Sequence, residues 1–122
     1  MKVLVIEDER AIRTLLSQAF QQWGHEVILA EDGQLGLVAI SLHTLDVVFA
    51  DLIMPGLTGL ELLRRARAAG FAKPFIMLTG SASTGDIQTA QALGAYAVVL
   101  KPFRLGRLEE LIKQIEAGVP HN

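Results

Sequence analysis

The chain has no cysteine, which excludes a disulfide framework and any thiolate metal centre and is compatible with a reducing cytoplasm, the expected location. No apolar run approaches the roughly 18 residues that cross a bilayer, so no membrane association is expected. The N-terminus does not read as a secretory signal either. In Met1-Lys2-Val3-Leu4-Val5-Ile6-Glu7-Asp8 the acids stop the apolar run after four residues, and no small-residue cleavage site follows. An excess of positive charge is missing: 11 basic residues face 13 acidic ones, for a net charge of -2, and direct contact with nucleic acid is not expected. No GxxxxGK[ST] stretch is present to cradle a nucleotide. The three histidines, at 25, 43 and 121, have no ligand spacing and read as surface or helix-end residues.

What the chain does have is apolar bulk. At 122 residues and 51% hydrophobic it fits one domain, residues 1–122, with 118–122 as a tail or the start of a linker. Short runs rich in Val, Ile, Leu and Phe, at 2–6, 26–30, 46–50, 75–79 and 96–100, alternate with stretches of helical period. Such runs suit strands buried on both faces, and the alternation predicts an α/β fold of the (βα)5 type, a parallel sheet with right-handed crossovers and helices on both sides. The first helix carries Ile12, Leu15, Leu16, Ala19, Phe20 and Trp23 on one stripe and stops at Gly24. The second opens at Asp32-Gly33 and runs to about His43; the third spans Gly59 to Ala69, solvated on its Arg64, Arg65 and Arg67 side. A polar loop from Gly80 to Asp86 leads into the fourth, capped by Ser83, Thr84 or Asp86 and ending near Leu93, and the fifth covers roughly 104–117.

Chemistry-bearing residues gather where the strands end. Glu7-Asp8 follow the first run, Asp51 closes the third, Thr79 the fourth, and Lys101 follows the fifth. Open α/β sheets bind ligands outside the carboxyl ends of their strands. Three carboxylates at one edge repel unless protons or a hard cation compensate, and Mg2+, or Mn2+ in its place, is the natural partner of an all-oxygen set. Lys101 adds a compact positive charge and Thr79 a hydroxyl, which leaves one carboxylate free to attack phosphorus and form an acyl phosphate. Asp51 is the expected nucleophile.

Glu7-Asp8, Asp51-Leu52-Ile53-Met54-Pro55-Gly56, Thr79-Gly80 and Lys101-Pro102-Phe103 resemble, over essentially the whole chain, the receiver domain of two-component response regulators. The resemblance implies a flavodoxin-like, doubly wound five-stranded sheet in the order 2-1-3-4-5. It implies phosphorylation of Asp51 by a histidine kinase or phosphotransfer protein, Mg2+ held by Asp8, Asp51 and the Ile53 backbone carbonyl with Glu7 acting through water, and a phosphoryl group held by Thr79 and Lys101. It implies a cis peptide before Pro102, no enzymatic activity beyond assistance to its own phosphorylation and dephosphorylation, and an output partner engaged through the 84–117 surface of a monomer or weak dimer.

The sequence also departs from the family. The aromatic switch position, three residues before the lysine, holds Val98, whose stiff β-branched side chain cannot swing as a ring does. Output through movement of the 79–86 loop and the fourth helix is therefore expected. Tyr96 is expected on the same strand face as Val98, roughly 6–7 Å further from the site. Ile53 and Ser81, two residues past Asp51 and Thr79, are expected to govern how water reaches the acyl phosphate, with apolar Ile53 slowing it. The second helix is apolar nearly all round, read as incidental exposure in preference to a dimer or partner surface. Two alternatives remain: an Asp-nucleophile phosphatase or phosphotransferase of haloacid-dehalogenase type, which needs an acid where Ile53 stands, and a pseudo-receiver that only binds partners.

Overall fold

The structure, a computed structural model, describes residues 1–80 and 83–120; the roles expected of Ser81 and His121 lie outside the described residues. Five strands, β1 (Lys2–Ile6), β2 (Glu26–Ala30), β3 (Val47–Asp51), β4 (Phe75–Thr79) and β5 (Ala97–Leu100), alternate with α1 (Arg10–Gln22), α2 (Gly33–Leu42), α3 (Gly59–Ala68), α4 (Thr84–Ala92) and α5 (Leu105–Glu116). The strands form one parallel sheet in the order β2-β1-β3-β4-β5. This is the flavodoxin-like architecture expected from the resemblance.

The apolar runs are continuous because both faces of each central strand are covered. Leu4, Ile6, Val48, Ala50, Phe75 and Met77 face α2, α3 and α4, where they meet Ala39, Leu62, Leu63, Ala66 and Ala90. Val3, Val5, Val47, Phe49, Ile76 and Leu78 face α1 and α5, meeting Leu16, Ala19, Phe20, Leu108, Leu111 and Ile112. Every residue of β3 and β4 is buried, whereas edge strand β2 leaves Glu26 and Leu29 in solvent. Leu15, expected on the buried stripe of α1, is 45% exposed. Among the described residues no helix is long and apolar enough to cross a membrane.

Side-chain caps start three of the helices: Asp32 accepts from the Leu35 amide, Thr58 from Glu61 and Ser83 from Asp86. Asp46 falls outside β3 because its carboxylate accepts from the Lys2 amide at 2.7 Å, pinning the strand's entry to the start of β1. Gly59 opens α3 hard against the end of β3. A Cβ there would collide with the Asp51 carbonyl oxygen and come within 2.8 Å of Leu52 Cα, so no side chain fits. The five helices are unequally held. Leu62, Leu63 and Ala66 of α3 are buried, while Ala90 is the buried residue of α4.

Two further expectations are corrected. Arg67 does not lie on a solvated side: it is half-buried, and its guanidinium donates to the carbonyls of Phe71 (2.8 Å), Lys73 (2.8 Å), Leu93 (3.3 Å) and Gly94 (3.0 Å) beneath the Phe75 ring. It ties the ends of α3 and α4 to the entry of β4. Tyr96 does not share a face with Val98. It precedes β5, so strand alternation does not reach it; its ring packs on the α1/α5 side while Val98 packs against the opposite core, and its hydroxyl donates to the Val119 carbonyl at 2.7 Å. On α2, Leu35, Val38 and Leu42 form the exposed part of the all-round apolar surface.

Replacing Arg67 with methionine keeps the stem and strips four carbonyls of their donor. Urea unfolding should show a loss of about 2 kcal/mol, each such bond to a charged group being worth on the order of 1 kcal/mol or more and some carbonyls regaining water. An unchanged midpoint would show that Arg67 merely rests there.

Candidate functional site

Adjacent strands in register carry the polar residues to one edge. Ile6 pairs with Ala50, so Glu7 and Asp51 lie level; Asp51 pairs with Leu78, which puts Thr79 one step on; Thr79 pairs with Leu100, which puts Lys101 one step further. The resulting stair brings Lys101 back across the sheet to the acids. Its ammonium donates to Asp51 Oδ2 at 2.8 Å and to Glu7 Oε2 at 3.0 Å. The other oxygens are held too: Asp51 Oδ1 accepts from the Ile53 amide at 3.0 Å and Glu7 Oε1 from the Glu9 amide at 3.2 Å. Glu7 and Thr79 are fully buried and Asp51 is 6% exposed, whereas Asp8 is exposed and forms the open side.

Ligand oxygens of Glu7, Asp8 and Asp51 lie within 4.8 Å of one another. An octahedron of oxygens around a small divalent cation has edges of about 3 Å and diagonals of about 4.2 Å, so the three acids are spaced to serve one ion, directly or through water. All donors are hard oxygens and one side is open to water. The residues fit Mg2+ or Mn2+ and offer nothing to a thiophilic metal.

Charge is tightly managed. Burial pushes the Glu7 carboxyl up to about 7, with the Asp51 charge adding to the rise and the bonds from Lys101 and the Glu9 amide opposing it. Burial works to lower the Lys101 ammonium, but its hydrogen bonds to Asp51 and Glu7 outweigh that and hold it above the usual lysine value. Lys101 therefore stays charged, and Glu7 is the group that takes up a proton when no other cation is near.

Four of the expected residues, Glu7, Asp8, Asp51 and Lys101, thus meet in one cluster. Thr79 ends the next strand, and the Ile53 peptide lies against Asp51 in a residue that is 52% exposed. The Lys101–Pro102 peptide is cis, as expected. Sequence reasoning missed Arg13, whose guanidinium donates to the backbone carbonyls of both Glu7 and Asp8; nothing in its position on α1 signals that bond.

Residues 3–113 match the family model described as response regulator receiver domain. The chain is a response regulator receiver domain. It is 36% identical over 120 residues to the uncharacterized transcriptional regulatory protein YkoG of Bacillus subtilis, covering 98% of this chain and 51% of that protein. The Regulator of RpoS of Escherichia coli is 35% identical over 112 residues, 91% of this chain and 33% of the relative. The receiver therefore spans about half or less of these relatives' length. Among solved structures, the chemotaxis protein CheY4 of Vibrio cholerae superposes with a TM-score of 0.86 at 31% identity, covering 93% of this chain and 97% of that one. Receiver domains are signalling modules of two-component systems, and the acidic cluster of this one occupies the strand-end edge.

The raised Glu7 value sets a pH dependence. A glutamate in the unfolded chain titrates near 4.5 and this one near 7, so the folded receiver binds the proton more tightly; the stability this contributes is complete below 4.5 and is lost as pH rises to 7 and beyond. Glu7→Gln cannot titrate. In cation-free buffer its unfolding free energy should fall less than wild type's between about pH 5 and about pH 8, by about 2 kcal/mol. Parallel curves for the two proteins, measured by urea denaturation, would refute the assignment.

Proposed function

We propose that this receiver accepts one phosphoryl group on Asp51 from a phosphohistidine of a sensor kinase or phosphotransfer protein. The observation that carries the reading is the Lys101 ammonium lodged between Asp51 and Glu7 at 2.8 and 3.0 Å, with a third acid beside them on the open edge. A carboxylate oxygen of Asp51 attacks phosphorus, the phosphorus–nitrogen bond breaks, and the electron pair leaves with the imidazole. Mg2+, or Mn2+, supplies charge neutralisation for the incoming oxygens. Asp8, Asp51 and the Ile53 carbonyl hold the cation in this reading, and Glu7, buried and bound to Lys101, acts one water removed. Lys101 and the Thr79 hydroxyl take the remaining phosphoryl oxygens, as donors that stabilise charge where it develops.

As further parts of the same proposal, the domain turns over no outside substrate and assists only its own phosphorylation and dephosphorylation, in the cytoplasm. It acts as a monomer or weak dimer, and its 84–117 surface meets the output partner. Curated relatives named as transcriptional regulators are longer than this chain, so any contact with DNA would belong to a segment other than the receiver. The haloacid-dehalogenase-like reading fails on Ile53, which puts an exposed apolar side chain where the general acid would be. A pseudo-receiver has no use for a complete set of Asp8, Asp51, Thr79 and Lys101.

Incubation with Mg2+ and acetyl phosphate should add one phosphoryl group to the wild type and none to Asp51→Asn, read by intact mass. A wild type that stays unmodified would remove the proposal. Once formed, the acyl phosphate should decay several-fold faster in Ile53→Ala, because the half-exposed isoleucine beside Asp51 hinders the attacking water; an unchanged decay would rule out shielding.

A further inference from the structure

Arg13 sits one turn into α1, and its side chain folds back over the end of β1 with 16% of its surface exposed. A single nitrogen, Nη1, donates to the Glu7 carbonyl at 2.7 Å and to the Asp8 carbonyl at 3.0 Å, while Nη2 stands 3.9 Å from Glu31 Oε2, just past β2. These carbonyls belong to the two successive residues whose side chains go opposite ways, Glu7 into full burial against Lys101 and Asp8 out to the open edge. Among the described residues no other side chain bonds these carbonyls, and α1 starts without a side-chain cap at Glu9. The Glu7 amide is held by the Ala30 carbonyl and the Glu9 amide by the Glu7 carboxylate, and the guanidinium is what ties the two carbonyls of the turn together.

We infer that Arg13 is a positioning residue for the divalent-cation site: by holding the Glu7 and Asp8 peptides it fixes the directions of both carboxylates and so sets the affinity for the cation. The inference rests on the proposed cation chemistry. It makes a prediction whose sign is diagnostic. Arg13 carries a positive charge beside the acidic cluster, and by Coulomb's law alone its removal would tighten the binding of another cation. If holding the turn dominates, removal weakens binding instead, as loss of groups that orient metal ligands does, by tenfold or more.

The test measures Mg2+ affinity of the intact chain by titration calorimetry, together with the Mg2+ dependence of its phosphorylation by acetyl phosphate. Arg13→Met, which keeps the apolar stem, should weaken Mg2+ binding about tenfold and raise the half-saturating Mg2+ by the same factor, while the rate at saturating Mg2+ stays within about twofold of wild type. A purely structural role would lower the melting temperature and leave the half-saturation point alone. Arg13→Lys, whose shorter arm reaches one carbonyl less well, should fall between the two, and it carries the test if the methionine variant does not fold: a loss of about threefold supports the role. Unchanged or tighter Mg2+ binding in the variants overturns it while leaving the phosphoacceptor reading intact. A wild type that binds no Mg2+ overturns both.

Discussion

The ammonium of Lys101 between two buried carboxylates is the interaction on which the rest depends. Three acids brought to one edge would drive that edge apart, and one amine cannot neutralise them all. It holds them close enough to act together and leaves a deficit of positive charge that protonation of Glu7 fills when no metal does. The parallel order makes this possible: β1 and β3 lie side by side at the centre, and the stepped register lets a residue beyond β5 reach both of them. Gly59 serves the other side, where α3 begins so close to the Asp51 carbonyl that no side chain fits between them.

Much of this was legible in the chain. Strands covered on both faces read as unbroken apolar runs, and helices with one buried stripe as a 3.6 period, so elements appeared within a residue or two of their true bounds. Neighbour order was not legible that way, because β2 and β4 carry no mark in their composition of which strand they adjoin; it came with the resemblance carried by Asp51, Thr79 and Lys101. Asp46 shows why a boundary slips: the apolar pattern cannot register a carboxylate that bonds a neighbouring strand's amide.

Two arginines show a deeper blindness. Arg67 reads as a solvent-facing charge and Arg13 carries no signal at all, yet each directs donors to backbone carbonyls. Carbonyls are present at every residue and leave no trace in composition, so such bonds become visible only when the chain is folded. Tyr96 departs from expectation for a related reason: it lies one residue before β5 begins, where strand alternation does not apply and the side chain follows the loop.

The slender packing of α4 has a consequence for where the molecule can yield. Burying one alanine methyl is worth roughly 1 kcal/mol, whereas the two leucines that α3 buries are worth several. A perturbation on the scale of one charge-assisted bond made or lost is comparable to what fully buried side chains contribute on α4 and smaller than what they contribute on α3, so α4 is the cheaper of the two to displace. Compliance is graded across the domain, with the soft element adjoining Thr79 and the stiff one adjoining Asp51. Arg67 grips the carbonyls just past the end of α4, so the helix is tied at the end far from the site and least held at the end that follows Thr79.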